Sequence, residues 1–210
     1  MIEWSIEAFR ACGSVRSLVI AAPPALAHHL DGDDLAVVAG GAMRCQSVTN
    51  ALAAVETELV AIHDAARPLV TPELVEDVVA LLNADPDASG AIPAAPVTDT
   101  IKQASKLGGR GTSDAFSVSG TENASLVVGE TLDRSRLWAA QTPQVFRADA
   151  LRAALAVDAE ARDAATDEAM LVEAVGGTVL IHPAPAENFK VTTPHDLKVA
   201  ELLLAERLSP

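Results

Sequence analysis

The chain has 210 residues, half of them hydrophobic but only 3% aromatic, with no Tyr and a formal net charge of −14. That length is enough for one sizeable domain, and an Ala/Val/Leu/Ile core of this kind suits helices packed on a mostly parallel sheet. Such acidity argues against general nucleic-acid or anionic-membrane binding, so any phosphate must be met by a few local cations.

Ile2 to Ala11 is expected to be a helix with Ile2, Ile6 and Phe9 on one face and Trp4 off it. The opening Met1-Ile-Glu-Trp-Ser-Ile-Glu is acidic where a signal peptide is basic, and no apolar run is long enough to span a bilayer. Cys12 and Cys45 lack metal or redox spacing, which fits reduced thiols in the cytoplasm. Ser17 to Ala22 reads as a strand stopped by Pro23-Pro24, and Leu35 to Ala39 as another, followed by Gly40-Gly41 and a helix from near Met43. Leu59 to Ile62 is a short apolar strand that stops at His63-Asp64. Thr71 then caps a helix with Pro72 at its first position and an apolar stripe of Leu74, Val75, Val78, Val79 and Leu82. Asn83 to Gly90 is a turn cluster, Ala91 to Val97 is extended, and Ser105 to Asn123 is a Gly/Ser/Thr-rich loop or arm. Leu126 to Thr131 reads as a strand, Asp149 to Val157 and Thr166 to Val175 as helices, and Thr178 to His182 as a strand. A last helix has Thr193 as cap, Pro194 first, and Leu197, Ala200 and Leu204 inward. Strand and helix alternate throughout, which argues for a single α/β domain over residues 1–210, with an arm at about 98–140.

Asp64 and Arg67 fall just past the carboxyl end of a strand, where open α/β sheets bind ligands. Aspartate there can hold a divalent metal and arginine can pair with phosphate, with small alanines between them leaving room; a plain strand-end ion pair is the alternative. Gly40-Gly41 precede a helix whose first turn carries Arg44, with Ser47 a turn later. Free N–H groups there suit an anion or a nucleobase edge, although such turns are also common as structure alone. Cys45, beside Arg44 near that N-terminus, is a candidate for a lowered pKa without an identifiable base. His63 is either an acid–base group or a strand-end hydrogen-bonder. Val97 to Lys102, with Leu132 to Arg134 and Trp138 to Gln144 after the glycine-rich arm, reads locally as a hairpin with solvated charges, and Thr166-Asp167-Glu168 as a capped helix start.

His63-Asp-Ala-Ala-Arg-Pro68, Thr98-Asp-Thr-Ile-Lys102, Asp133-Arg134 with Trp138, Gln141-Thr-Pro-Gln-Val-Phe146, Thr166-Asp-Glu-Ala169 and Asn188-Phe-Lys-Val-Thr192 occur in one order. In that order the chain resembles the 2-C-methyl-D-erythritol 4-phosphate cytidylyltransferases of the non-mevalonate isoprenoid pathway, over nearly its whole length. The resemblance implies a Rossmann-like α/β nucleotidyltransferase fold, helices on both faces of the sheet, and a homodimer whose arms reach into each other's sites. It implies joining of CTP and methylerythritol phosphate with release of pyrophosphate, and Mg²⁺ as cofactor. By motif, Asp64 would hold Mg²⁺ and touch substrate hydroxyls, Gly41, Arg44 and Ser47 would surround cytosine and ribose, and Lys190 would bind the substrate phosphate. Thr100 and Arg134 would hold that phosphate from across the dimer. Thr166 would contact substrate hydroxyls, with Ala65, Arg67 and Thr142 completing the substrate-binding set.

Such enzymes open with a strand, a glycine-rich loop, and an Arg and a Lys that grip the triphosphate, whereas Met1-Ile-Glu-Trp-Ser-Ile looks like the helix that follows. The expectation is that the native gene product starts upstream of Met1, and that the 210-residue form has little or no activity. Without a central first strand, its neighbours would be left with unpaired backbone groups. Lys106-Leu-Gly-Gly-Arg-Gly111 is glycine-rich and basic but reads as arm loop. Competing readings are a cytidylyltransferase for another polyol phosphate such as ribitol 5-phosphate, and a non-catalytic remnant that dimerises or binds nucleotide weakly.

Overall fold

The computed structural model describes residues 1–27, 30, 32, 34–106 and 126–208. They form two compact units, Met1–Ala95 with Ala140–Pro210, and Pro96–Ala139.

The elements of the first unit alternate as the periodicity requires: α1 (Ile2–Arg10), β1 (Leu18–Ala22), α2 (Pro24–Ala27), β2 (Leu35–Ala39), α3 (Arg44–Leu52), β3 (Leu59–Ile62), α4 (Pro72–Ala84) and β4 (Gly90–Pro96). The chain passes through the second unit and returns by β7 (Trp138–Ala140) into β8 (Gln144–Arg147), α5 (Ala148–Leu155), α6 (Ala159–Ala164), α7 (Glu168–Ala174), β9 (Val179–Pro183) and α8 (Pro194–Leu208). The second unit contains the antiparallel pair β5 (Lys102–Lys106) and β6 (Leu126–Thr131), then a 3₁₀ turn at Arg134–Arg136. Most of the glycine-rich stretch, residues 107–125, lies outside the described residues.

β1 and β2 pair in parallel, as do β4 and β9, while β8 runs antiparallel to both β3 and β4. Before Gln144 the expected hairpin forms, with β5 antiparallel to β6 and Asp133, Arg134 and Arg136 exposed, and Gln144 then opens a core strand. Val145 and Phe146 are buried on opposite faces, as successive strand residues must be. Phe146 joins Leu52, Val60, Leu151 and Val172 beneath α3, α5 and α7, and Val145 joins Val78, Leu82 and Ala91 beneath α4. Gly90 is needed where β4 meets β8, since a Cβ there would lie 2.4 Å from the Phe146 ring.

One local expectation is extended and two are corrected. Trp4 lies off the apolar stripe of α1 but packs with Leu69, Ala200 and Leu204, because α8 covers that flank. Leu197 is 38% exposed, leaving Ala200 and Leu204 to carry the inner face of α8. The helix expected from Thr166 starts at Glu168, because Asp167 takes the cap and accepts from the Met170 N–H.

β1 and β3 each stand at the edge of their sheet. A cavity of about 820 Å³ between them is lined by residues 18–21 and by the whole of β3. Strand side chains alternate between faces, so a cavity touching consecutive residues looks onto the strand's edge. Ile6, Phe9, Val48 and Val75 close it with apolar surface. Among the described residues no strand pairs with either facing edge.

Candidate active site

β3 ends because its apolar run meets His63 and Asp64, and the chain turns through an Arg67 N–H to Asp64 C=O bond of 2.9 Å. Pro68, Leu69 and Val70 bury the far side of the turn, and Thr71 caps α4 by accepting from the Leu74 N–H. Asp64 is thereby fixed at the strand's carboxyl end. Its Oδ2 lies 3.1 Å from Lys190 Nζ and 3.7 Å from Arg67 Nε, and its Oδ1 lies 3.3 Å from Arg44 Nη2. Burial pushes the Asp64 carboxyl pKa up, but Arg44, Lys190 and Arg67 together outweigh it and hold the group below its ordinary value. The strand-end ion pair with Arg67 exists, yet it is one part of a larger cluster of charges.

Three loops are stitched together around this point. Thr142 Oγ1 accepts from the Asp64 N–H at 3.0 Å and contacts His63 Nδ1 at 3.0 Å, while His63 Nε2 meets the Arg67 carbonyl at 3.2 Å. A carbonyl only accepts, so Nε2 carries the hydrogen and Nδ1 accepts from the Thr142 hydroxyl. That arrangement suits a neutral imidazole, and burial lowers the His63 pKa to about 4. His63 is thus a hydrogen-bonder at the strand end. Arg67 donates to the Asn188 and Ala140 carbonyls, Asn188 donates to Gln141 Oε1 and the Thr142 carbonyl, and Val191 N–H donates to the Ala66 carbonyl. The last of these links sets the backbone from which Lys190 reaches Asp64.

Arg44 comes from the first turn of α3. The preceding turn is close-packed, since a Cβ on Gly41 would lie 2.3 Å from Gln46 Cβ. Its N–H groups are not free as expected: Gly41 donates to Ser47 Oγ and Ala42 to Gln46 Oε1. The Arg44 guanidinium bridges two carboxylates, Asp64 and the buried Glu168, the latter at 2.5 Å. Burial alone would lower the Arg44 pKa, but Glu168 and Asp64 raise it on balance. Cys45 corrects another expectation. Desolvation and the Asp163 carboxylate, 3.2 Å from its sulfur, push the thiol pKa up, so it is no activated nucleophile.

The sequence profile of the family described as 2-C-methyl-D-erythritol 4-phosphate cytidylyltransferase matches residues 1–206. The chain belongs to this family. A relative of that name from Frankia casuarinae is 42% identical over 98% of this chain and 70% of its own length. Another from Saccharopolyspora erythraea is 38% identical over 98% of this chain and 86% of its own. Among solved structures, the cytidylyltransferase of Thermus thermophilus superposes with a TM-score of 0.74 at 32% identity, covering 97% of this chain and 88% of that one.

Of the residues singled out by resemblance to the cytidylyltransferase family, Asp64, Arg67, Arg44 and Lys190 converge directly. Ala65 lies on the same turn, Thr142 touches Asp64 through its backbone, and Ser47 bonds Gly41. Thr166 is exposed just before α7, its hydroxyl 3.9 Å from Met170 Sδ. Thr100 and Arg134 belong to the second unit, where both are exposed and Arg134 donates to the Thr98 carbonyl. Sequence reasoning passed over Glu168 as a first-turn acid, and over Asn188 and Gln144. Gln144 is buried on β8, where it donates to Asp167 and accepts from the Ala169 N–H. The signal for Glu168 was its place beside Asp167 in a motif that also carried candidate contacts.

As a metal site, Asp64 offers a single carboxylate, and no group of three or more His, Cys, Asp or Glu forms a cluster among the described residues. That donor set fits Mg²⁺, which takes one or two protein carboxylates and draws its other ligands from phosphate and water.

Proposed function

We propose that the chain transfers the cytidylyl group of CTP to 2-C-methyl-D-erythritol 4-phosphate, giving 4-diphosphocytidyl-2-C-methyl-D-erythritol and pyrophosphate in non-mevalonate isoprenoid synthesis. The observation that carries this reading is the family match over residues 1–206, on a chain whose Asp64 is ringed by Arg44, Arg67 and Lys190. An oxygen of the substrate phosphate attacks the α-phosphorus of CTP as the bond to pyrophosphate breaks. The nucleophile is already an anion, so no protein base is required, and positioning and charge neutralisation do most of the work.

Lys190, with a partly exposed side chain whose Nζ lies 3.1 Å from Asp64, binds the substrate phosphate and aims it. Gly41, Arg44 and Ser47 surround the nucleoside, Ala65 and Thr166 line the substrate side, and Arg67 and the buried Thr142 hold the Asp64 turn in place. Mg²⁺, held by Asp64, would neutralise phosphate charge. In a homodimer, Thr100 and Arg134 reach the phosphate from the neighbouring subunit. The exposed apolar side chains of β6, Leu126, Val127 and Val128, support a role for the second unit in association. Two free thiols, Cys12 and Cys45, support a cytoplasmic location.

The test is pyrophosphate release by the purified chain with CTP, Mg²⁺ and methylerythritol phosphate, with ribitol 5-phosphate in parallel. Release with methylerythritol phosphate alone supports the assignment, and preference for ribitol phosphate overturns it. A second reading, nucleotide binding without turnover by this 210-residue chain, is favoured by the edges of β1 and β3 beside Arg44 and Asp64, which have no strand partner among the described residues. Calorimetry with CTP and Mg²⁺ separates it: heat of binding without pyrophosphate release supports it, and turnover excludes it.

A further inference from the structure

Among the described residues Glu168 is the one charged side chain in the set of largest fully buried ones, at 1% exposure, on a helix sunk into the core by Ala169, Leu171 and Val172. An unpaired carboxylate there would be costly, and a cation beside it offsets that cost. Arg44 supplies it through Nη1 at 2.5 Å, and Glu168 Oε2 has no hydrogen-bond partner in the described residues. The opposite edge of the same guanidinium, Nε and Nη2, faces Asp64 Oδ1 at 3.3 Å from each nitrogen. One planar group therefore has a buried anchor on one side and the site on the other. The anchoring contact is the shorter of the two, and the anchoring carboxylate is the less exposed.

We infer that Glu168 is a positioning residue: it clamps the Arg44 guanidinium so that its Nε/Nη2 edge is presented to the nucleotide site. This rests on the cytidylyl-transfer reading for the identity of the ligand, though not for the clamp itself. Glu168 touches no substrate in this scheme and acts only through Arg44. A free arginine of this length samples many rotamers, and each must be lost on binding; a guanidinium already held loses fewer. Arg44 reaches the site from α3, Asp64 from β3 and Glu168 from α7, so the clamp also fixes three elements to one another at the ligand.

The experiment is a double-mutant cycle of Glu168→Gln and Arg44→Ala on the full chain, read by calorimetric CTP affinity and by thermal unfolding. ¹⁵N NMR of the Arg44 guanidinium in the absence of ligand gives an independent readout. Glu168→Gln keeps the shape of the side chain, and loss of its charged hydrogen bond weakens CTP binding about tenfold. With Arg44→Ala already in place, the same change costs no further affinity. The NMR signals show hindered guanidinium rotation in the parent and free rotation in Glu168→Gln, while Glu168→Asp restores part of the hindrance. Additive effects in the cycle, or an Arg44 signal unchanged by Glu168→Gln, would overturn the inference. If the parent chain binds no CTP, the functional reading falls, and the clamp stands or falls on the NMR signature alone.

Discussion

Lys190 and Asp64 lie 126 positions apart in the chain, yet Lys190 Nζ sits 3.1 Å from the Asp64 carboxylate. The contact is made possible by the Val191 N–H to Ala66 carbonyl bond, which lays the two loops side by side. Asp64 is three-quarters or more enclosed while Lys190 is nearly half-open to solvent, so the lysine is the partner with room to move. A phosphate entering the site can draw Lys190 off Asp64 without disturbing the strand end.

Replacement of Lys190 by alanine should therefore separate catalysis from stability. The exposed ammonium adds little to folding, so the unfolding free energy should change by no more than about 0.5 kcal/mol. Loss of a preorganised cation on the transferring phosphates should lower kcat by about 10²–10³-fold. Steady-state kinetics beside chemical denaturation makes the comparison. A large drop in stability would mean that Lys190 holds the fold and that its activity loss is indirect.

His63 gives a pH dependence of definite sign. Its folded pKa, about 4, lies below the ordinary value of 6.5, because burial disfavours the charged ring. The unfolded chain then binds more protons between these values, so stability is full above pH 6.5 and falls as pH drops toward 4. The loss amounts to at most about 3 kcal/mol. Urea unfolding at intervals from pH 7.5 to 4.5 should show this slope in the parent and a shallower one in His63→Gln. An equal slope in both would assign the effect to other groups.

The facing edges of β1 and β3 predict an alternating pattern of amide exchange. In each strand the amides directed at a neighbour, β2 or β8, are protected, and those directed into the cavity are not. Exchange of the second set should be at least about tenfold faster than that of the first. Hydrogen exchange read residue by residue by NMR checks this, and an apolar dye should bind the same cavity. Uniform protection along both strands would show that the edges are covered in solution.

The parts of the fold visible in the sequence are those whose signal is local. β3 and α4 were legible because an apolar run stops at His63-Asp64 and a Thr-Pro cap follows, and the cap forms as written. β8 was not, because it is four residues long and opens on Gln144, whose burial depends on Asp167 and the Ala169 N–H far along the chain. Glu168 was hidden for a related reason. An acid in the first turn of a helix already has a sufficient local explanation, and only the fold brings Arg44 to it. Trp4 similarly reads only as lying off the apolar face of its helix until α8 is placed over it. In the site, Asp64 and Lys190 were reached through motif order, whereas the bonds that align their loops come from backbone carbonyls, which carry no sequence signature.

Arg67 is the sharpest test of that last point. Its side chain is only 12% exposed, and it spends Nη1 on the Asn188 carbonyl at 2.8 Å and Nη2 on the Ala140 carbonyl at 3.4 Å. The motif reading makes it a phosphate or substrate contact, for which Lys would keep the charge. The geometry makes it a fork that ties loops together, for which Lys is a poor substitute. Arg67→Lys should therefore destabilise the chain by about 1–3 kcal/mol, since the carbonyl of the buried Asn188 loses its donor. It should also raise KM for the sugar-alcohol phosphate, because the Asn188–Lys190 backbone is no longer held against the Asp64 turn. Denaturant unfolding and kinetics on the same preparation decide the matter. Parent-like stability with impaired binding would return Arg67 to the role of a direct ligand contact.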